Sequence, residues 1–81
     1  MNELEILRKE IDKVNTELAL ILEYRLQLVE QVFTLKDSLE LHRYDPAREE
    51  IMFGQIEERF KGSPYQAKIL AMFKDIVEKS K

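Results

Sequence analysis

An apolar heptad pattern near the N-terminus most constrains how this chain can fold. No proline or glycine lies between residues 3 and 39. The pattern predicts a single helix from about residue 3 to 39, roughly 55 Å long at ~1.5 Å per residue. Its a and d positions hold Leu4, Leu7, Ile11, Val14, Leu18, Ile21, Arg25, Leu28, Val32, Leu35 and Leu39, all apolar except Arg25.

The length of this helix predicts how its apolar seam is covered. A chain of 81 residues suggests one domain, here residues 1–81. A compact domain of that size has a radius of gyration of about 12 Å, so the helix is too long for its own domain to bury. We therefore expect the seam to pack against a second copy of the chain, in a two-fold dimer with the long helices side by side.

Two shorter helices are predicted in the rest of the chain, which makes the fold class all-α. Asp45 suits an N-cap and Pro46 the first helical position, so the second helix begins there. Gly62, in Lys61-Gly62, is expected to end it in a left-handed conformation. Ser63 and Gln66 have the spacing of a capping box, which predicts that the third helix begins at Ser63-Pro64.

Composition excludes several functional classes. The chain has no cysteine and one histidine, so we expect neither disulfides nor a structural metal site. The net charge is -3, and no basic run suggests nucleic acid. The longest apolar run, residues 18–22, is too short to cross a membrane. The acidic N-terminus lacks a signal-peptide pattern, so we expect a cytoplasmic protein.

Arg25 is the unexpected residue of the seam. Burying a guanidinium group without an anionic partner costs several kcal/mol. One interpretation is a structural Arg–Glu pair or a polar residue that sets the register of the two helices. Lys36 favours a second interpretation, an anion-binding site, because it lies about three turns further along nearly the same face, roughly 16 Å away. Together the two cations would suit a small dianion, whereas Lys36 alone would be a solvated flank of the seam.

Two further arginines are candidates for an anion site. Arg8 lies roughly 25 Å from Arg25 along the same helix, so it could share a ligand only with the Arg25 of an antiparallel partner. Arg48 falls in the first turn of the second helix, where the helix dipole disfavours a cation. Each has a simpler interpretation. Arg8 would be an ordinary surface arginine, and Arg48 would be part of the solvated run Arg48-Glu49-Glu50.

The order and spacing of three segments resemble the all-helical, AroQ-type chorismate mutases. The segments are residues 7–12 (LRKEID), residues 23–29 (EYRLQLV) with Lys36 at its spacing, and residues 45–50 (DPAREE). The resemblance implies an intertwined antiparallel homodimer with two active sites, each enclosed by both chains. It also implies a cofactor-free pericyclic [3,3] rearrangement of chorismate to prephenate, in phenylalanine and tyrosine biosynthesis.

The resemblance also implies roles for individual residues. Arg8 of the partner subunit and Arg25 would hold the substrate carboxylates, and Arg48 would assist at a carboxylate. Lys36 would donate to the ether oxygen, where negative charge develops. Glu49 would accept from the ring hydroxyl.

Two positions near the ends of the shorter helices complete the implied site. Asp45 would contribute beside the ring hydroxyl, partly through its backbone, and Ser80 matches a serine near a carboxylate. Family members carry a glutamine or glutamate one turn after that serine, whereas this sequence ends at Lys81. We therefore expect either that the site is completed by another residue or that turnover is weaker. The ending would also suit a mutase domain that belongs to a fused or associated aromatic-pathway enzyme.

Two other functions stay open on the sequence. A related lyase eliminates pyruvate from isochorismate on the same scaffold with similar cations, although Glu49 favours the mutase. A non-catalytic helical dimerisation or regulatory domain would instead pair Arg25 with a protein carboxylate.

Overall fold

The computed structural model describes residues 2–81, and they form three α-helices and no strand. These are α1 (Glu3–Ser38), α2 (Pro46–Arg59) and α3 (Gln66–Lys79). The predictions of an all-helical fold and of one long first helix are confirmed. The chain divides into an N-terminal unit, Met1–Leu35, and a C-terminal unit, Lys36–Lys81, which contains the last turn of α1 together with α2 and α3.

The N-terminal unit is helix throughout its described length after Asn2. The Asn2 side chain caps it, because its Oδ1 accepts a hydrogen bond of 2.8 Å from the Glu5 backbone N–H. Glu3 and Glu5 place negative charge in the first turn, where the helix dipole favours it. The apolar heptad residues of this unit are exposed in the single chain, Leu7 by 60% and Ile21 by 64%.

α1 ends in a Schellman motif that holds a non-glycine residue in the left-handed region. The Leu41 N–H donates to the Lys36 carbonyl at 2.8 Å, and the Glu40 N–H donates to the Asp37 carbonyl at 3.1 Å. Glu40 occupies the position that usually carries glycine, with φ of 57°. A side chain with a Cβ is disfavoured there.

Replacing Glu40 with glycine should therefore raise the thermal stability of the protein. The left-handed conformation costs a non-glycine residue about 1–2 kcal/mol, and glycine's greater freedom in the unfolded chain offsets part of that gain. The opposite change, Gly62→Ala, should lower stability, because Gly62 has φ of 87°. Thermal melts of both variants would check this, and a lower Tm for Glu40→Gly would contradict it.

The predicted start of α2 is confirmed, whereas the helix ends at Arg59, two residues before the predicted Lys61-Gly62. The Asp45 carboxylate accepts from the Arg48 backbone N–H at 3.1 Å, so Asp45 is the N-cap, and Pro46 is the first helical residue. Phe60 is the C-cap, and Gly62 follows in the left-handed conformation.

The predicted start of α3 is wrong by a few residues. The helix begins at Gln66, and its N-cap, Tyr65, makes no side-chain capping bond. The Ser63 hydroxyl oxygen accepts from the Tyr65 N–H at 3.1 Å, and the Gln66 amide donates to the Glu57 carbonyl at 2.6 Å. Both side chains that the capping box needs are therefore engaged elsewhere, one within the turn and one on α2.

α2 and α3 pack side by side as an antiparallel hairpin. The Gln66 amide contacts the end of α2, and the Lys74 ammonium lies 5.9 Å from the Phe53 ring centroid further along. Val77 is buried. The half-buried apolar residues are Met52, Phe53, Ile56 and Phe60 on α2, and Ile69, Leu70, Phe73 and Ile76 on α3.

The inner face of α2 differs from the one its periodicity predicts. The spacing of the apolar residues predicts that Ala47 and Ile51 lie on this face, but both are exposed in the single chain, Ile51 by 57%. Phe53 is half-buried, and the Lys74 ammonium of α3 lies over its ring. No helix within residues 2–81 has the length and apolar character that crossing a membrane requires.

Candidate functional site

Lys36 lies in the last turn of α1, where a cation complements the helix dipole. Its side chain is half-buried, and its ammonium donates a hydrogen bond of 3.1 Å to the backbone carbonyl of Arg43. An ammonium group carries three protons and accepts no hydrogen bond. One bond to a carbonyl therefore leaves Lys36 able to donate to an oxygen of a ligand at the same time.

The Arg43 side chain folds back onto the end of α1 and binds Asp37. Its Nε donates to Oδ1 of Asp37 at 3.0 Å, and its Nη2 donates to Oδ2 at 2.5 Å. Hydrogen bonds from Arg43 hold the pKa of Asp37 below its ordinary value of 3.8, and the carboxylate raises the pKa of Arg43. Sequence reasoning missed this pair, since neither residue belongs to a motif.

Asp45, Arg48 and Glu49 meet at the N-terminus of α2, as predicted. The Asp45 carboxylate is used as the N-cap, and the Asp45 carbonyl accepts from the Glu49 N–H at 3.1 Å. The Glu49 side chain is 23% exposed, whereas Arg48 is exposed. The partly buried carboxylate can accept a hydrogen bond from a hydroxyl group, and the exposed arginine beside it can attract an anionic group.

Lys81 joins the last residues of the chain to the start of α2. Its ammonium lies 3.6 Å from Oε1 of Glu49, 3.1 Å from Oε2 of Glu78 and 5.0 Å from the Tyr44 ring centroid. The hydrogen bond to Glu78, aided by the nearby Glu49, raises the pKa of Lys81 above its ordinary value of 10.5. Sequence reasoning gave Lys81 and Tyr44 no role, because only the packing of α2 on α3 brings them to Glu49.

Ser80 is the C-cap of α3 and lies next to Lys81. Its hydroxyl donates to the Ile76 carbonyl at 2.5 Å. A hydroxyl has a single proton, so Ser80 would have to rotate before it could donate to a ligand carboxylate.

The N-terminal unit carries the other two predicted residues, both on α1. Arg8 is exposed, whereas Arg25 is half-buried, as are Leu22 and Val29 beside it. The structure thus brings the predicted site residues of α2 together. Ser80 precedes Lys81, whose ammonium lies near Glu49, and Lys36 bonds to the Arg43 carbonyl. Among residues 2–81, no cluster of three or more histidine, cysteine or acidic side chains could hold a metal ion.

Comparisons with known proteins agree on one family. The family model described as "Chorismate mutase type II" matches residues 7–81. No curated protein matches the chain significantly.

Two similar solved structures are forms I and II of chorismate mutase from Thermus thermophilus, each 35% identical to this chain. Form I superposes with a TM-score of 0.92 over 99% of this chain and 100% of that one. Form II superposes with a TM-score of 0.91 over 98% of this chain and 90% of that one. The chain belongs to the chorismate mutase type II family.

Proposed function

We propose that this chorismate mutase converts chorismate to prephenate as an antiparallel homodimer, with each active site built from both chains. The observation that carries the proposal is Arg25, a half-buried cation in a seam whose apolar heptad positions are exposed in the single chain. A second chain that covered the seam would bury Arg25 further, at a position where a guanidinium group can bind a carboxylate with two hydrogen bonds. In this proposal that carboxylate is one of the two on the substrate.

The reaction requires positioning and electrostatic stabilisation only. One ether carbon–oxygen bond breaks and one carbon–carbon bond forms within the same molecule, and no atom enters or leaves. The enzyme must hold the enolpyruvyl arm over the ring, because this arrangement is unfavourable in water. It must also stabilise the negative charge that develops on the ether oxygen.

The cations of α1 have separate roles in this proposal. Arg25 and Arg8 of the partner subunit bind the two carboxylates, which fixes both ends of the substrate. Lys36 donates to the ether oxygen, and its bond to the Arg43 carbonyl leaves protons for that purpose. A preorganised donor of this kind stabilises the transition state more than the ground state.

The residues of α2 and the end of α3 bind the remaining polar groups. Glu49 accepts from the ring hydroxyl, and the Lys81 ammonium lies 3.6 Å from its Oε1. Asp45 contributes beside it through the backbone, since its carboxylate caps α2. Arg48 and Ser80 assist at a carboxylate.

The exposed side chains of α1 support the dimer. The helix has 36 residues, so it is roughly 54 Å long. Its exposed apolar side chains include Leu4, Leu7, Ile11, Val14, Leu18, Ile21, Leu28, Val32 and Leu35. A contiguous apolar stripe of this length marks an interaction surface. A self-complementary, two-fold pairing of two copies covers both stripes at once.

Mixing two inactive variants tests the shared site directly. Arg8→Ala and Arg25→Ala should each abolish turnover, because each removes a carboxylate ligand from both sites. After refolding together in equal amounts, half of the dimers should be mixed, each with one intact site, so about a quarter of wild-type activity should return. The measurement is chorismate consumption followed by ultraviolet absorbance, with prephenate identified as the product.

The control is a mixture of each variant with itself, which should stay inactive. If Arg8 and Arg25 served the same site from one chain, no mixed dimer would have an intact site, and the mixture would stay silent. Full activity of either variant alone would also overturn the assignment. Pyruvate release from isochorismate by the wild-type chain would indicate the lyase instead.

A further inference from the structure

The backbone carbonyl of Arg43 is the acceptor that orients the Lys36 ammonium, at 3.1 Å. A lysine side chain has a flexible four-carbon stem and loses much conformational freedom when it is held in one position. The direction in which its remaining protons point depends on this acceptor. The position of the carbonyl is therefore important for any donation from Lys36.

Two sets of bonds fix the position of that carbonyl. The first is the bidentate pair between Arg43 and Asp37, whose planar geometry is more restrictive than a single contact. The second is the Schellman motif, in which Glu40 and Leu41 bond back to the Asp37 and Lys36 carbonyls. Asp37 follows Lys36 directly on the helix, so the pair joins the loop to the residue beside the donor.

We propose that Asp37 and Arg43 are positioning residues for the rearrangement, and that they act on the Lys36 ammonium through the Arg43 carbonyl. The inference rests on the proposed role of Lys36 as donor to the ether oxygen. Neither side chain needs to touch the substrate. The ion pair holds the loop, the loop holds the carbonyl, and the carbonyl aims the ammonium.

Single substitutions that break the pair should lower turnover. For Arg43→Met and Asp37→Asn we expect kcat to fall by about tenfold to a hundredfold, because a donor displaced by about 1 Å loses that much. KM should change little, since the carboxylate ligands are elsewhere. Arg43→Lys should fall between wild type and Arg43→Met, because it keeps the charge without the bidentate geometry.

Exchanging the two residues separates a positioning role from direct contact. The double variant Asp37→Arg/Arg43→Asp keeps the net charge and the backbone carbonyl at position 43, and it allows the ion pair to form in reverse. We expect its kcat to recover well above that of either single variant. If it stayed as slow as the single variants, the Arg43 side chain itself would be required and the inference would be overturned.

Matched controls come from exposed residues of the same unit. Asp75→Asn and Arg59→Met make the same chemical changes on α3 and α2, and both residues are exposed. Their kcat should equal that of wild type. Circular dichroism and Tm identify any variant that fails to fold, and kcat is compared only among folded proteins.

The outcome can be distinguished from failure of the proposed function. If Lys36→Met is inactive while Arg43→Met and Asp37→Asn stay within about twofold of wild type, the positioning inference is overturned and the function stands. If Lys36→Met keeps full turnover, the role of Lys36 itself is wrong.

Discussion

Replacing Lys36 with methionine should reduce kcat by about 10²- to 10³-fold, the usual loss when one preorganised oxyanion donor is removed. Methionine keeps an unbranched stem of similar length, so the half-buried surroundings of Lys36 should stay filled. The loss should fall on kcat more than on KM, because the ether oxygen becomes negative only in the transition state. Steady-state kinetics with chorismate measures both.

Two accompanying variants define the cause of that loss. Lys68→Met, at an exposed position of α3, makes the same chemical change and should leave kcat unaltered. Lys36→Arg keeps the charge but places it differently, so it should remain far below wild type. Helix content by circular dichroism should be unchanged in all three proteins. Turnover near wild type in Lys36→Met would remove the residue from the catalytic mechanism.

Replacing Arg25 with leucine should abolish turnover and leave the protein at least as stable as before. The loss of turnover follows because a carboxylate of the substrate loses its cation. The stability is expected because a guanidinium group loses hydration when the seam is covered, whereas burial of an apolar side chain at the same position is favourable. Leucine also continues the apolar heptad on both sides of position 25.

Ligand-dependent melting distinguishes a substrate-binding arginine from a structural one. Prephenate at saturating concentration should raise the Tm of wild type and should not raise that of Arg25→Leu. Arg59→Leu, an exposed control on α2, should respond to prephenate as wild type does. A marked fall in the stability of Arg25→Leu would instead indicate a structural ion pair, as in the non-catalytic alternative.

The parts of the fold that sequence predicted are those determined by local interactions. The heptad predicted the extent of α1, and Asp45 with Pro46 predicted the start of α2, because caps and periodicity depend on residues a few positions apart. The start of α3 was wrong because Gln66 bonds to Glu57 across the hairpin, and no local pattern reveals that contact.

The candidate site divides in the same way. The residues proposed for it come from motif order and spacing, and those at the start of α2 lie within five positions of one another in the sequence. The contacts that surround them depend on packing. Lys81 reaches Glu49 only because α3 returns alongside α2, and Arg43 reaches Asp37 only because the loop folds back after α1.

The single chain buries few of its side chains, and this affects how enzyme activity depends on the amount of protein expressed. Val77 is the only side chain among residues 2–81 that is buried, whereas the stripe on α1 is exposed. If each active site takes residues from two chains, a catalyst exists only after two chains meet. At concentrations below the dimer dissociation constant, activity should then rise with the square of the chain concentration. A twofold increase in gene expression would in that range give about four times the flux to prephenate.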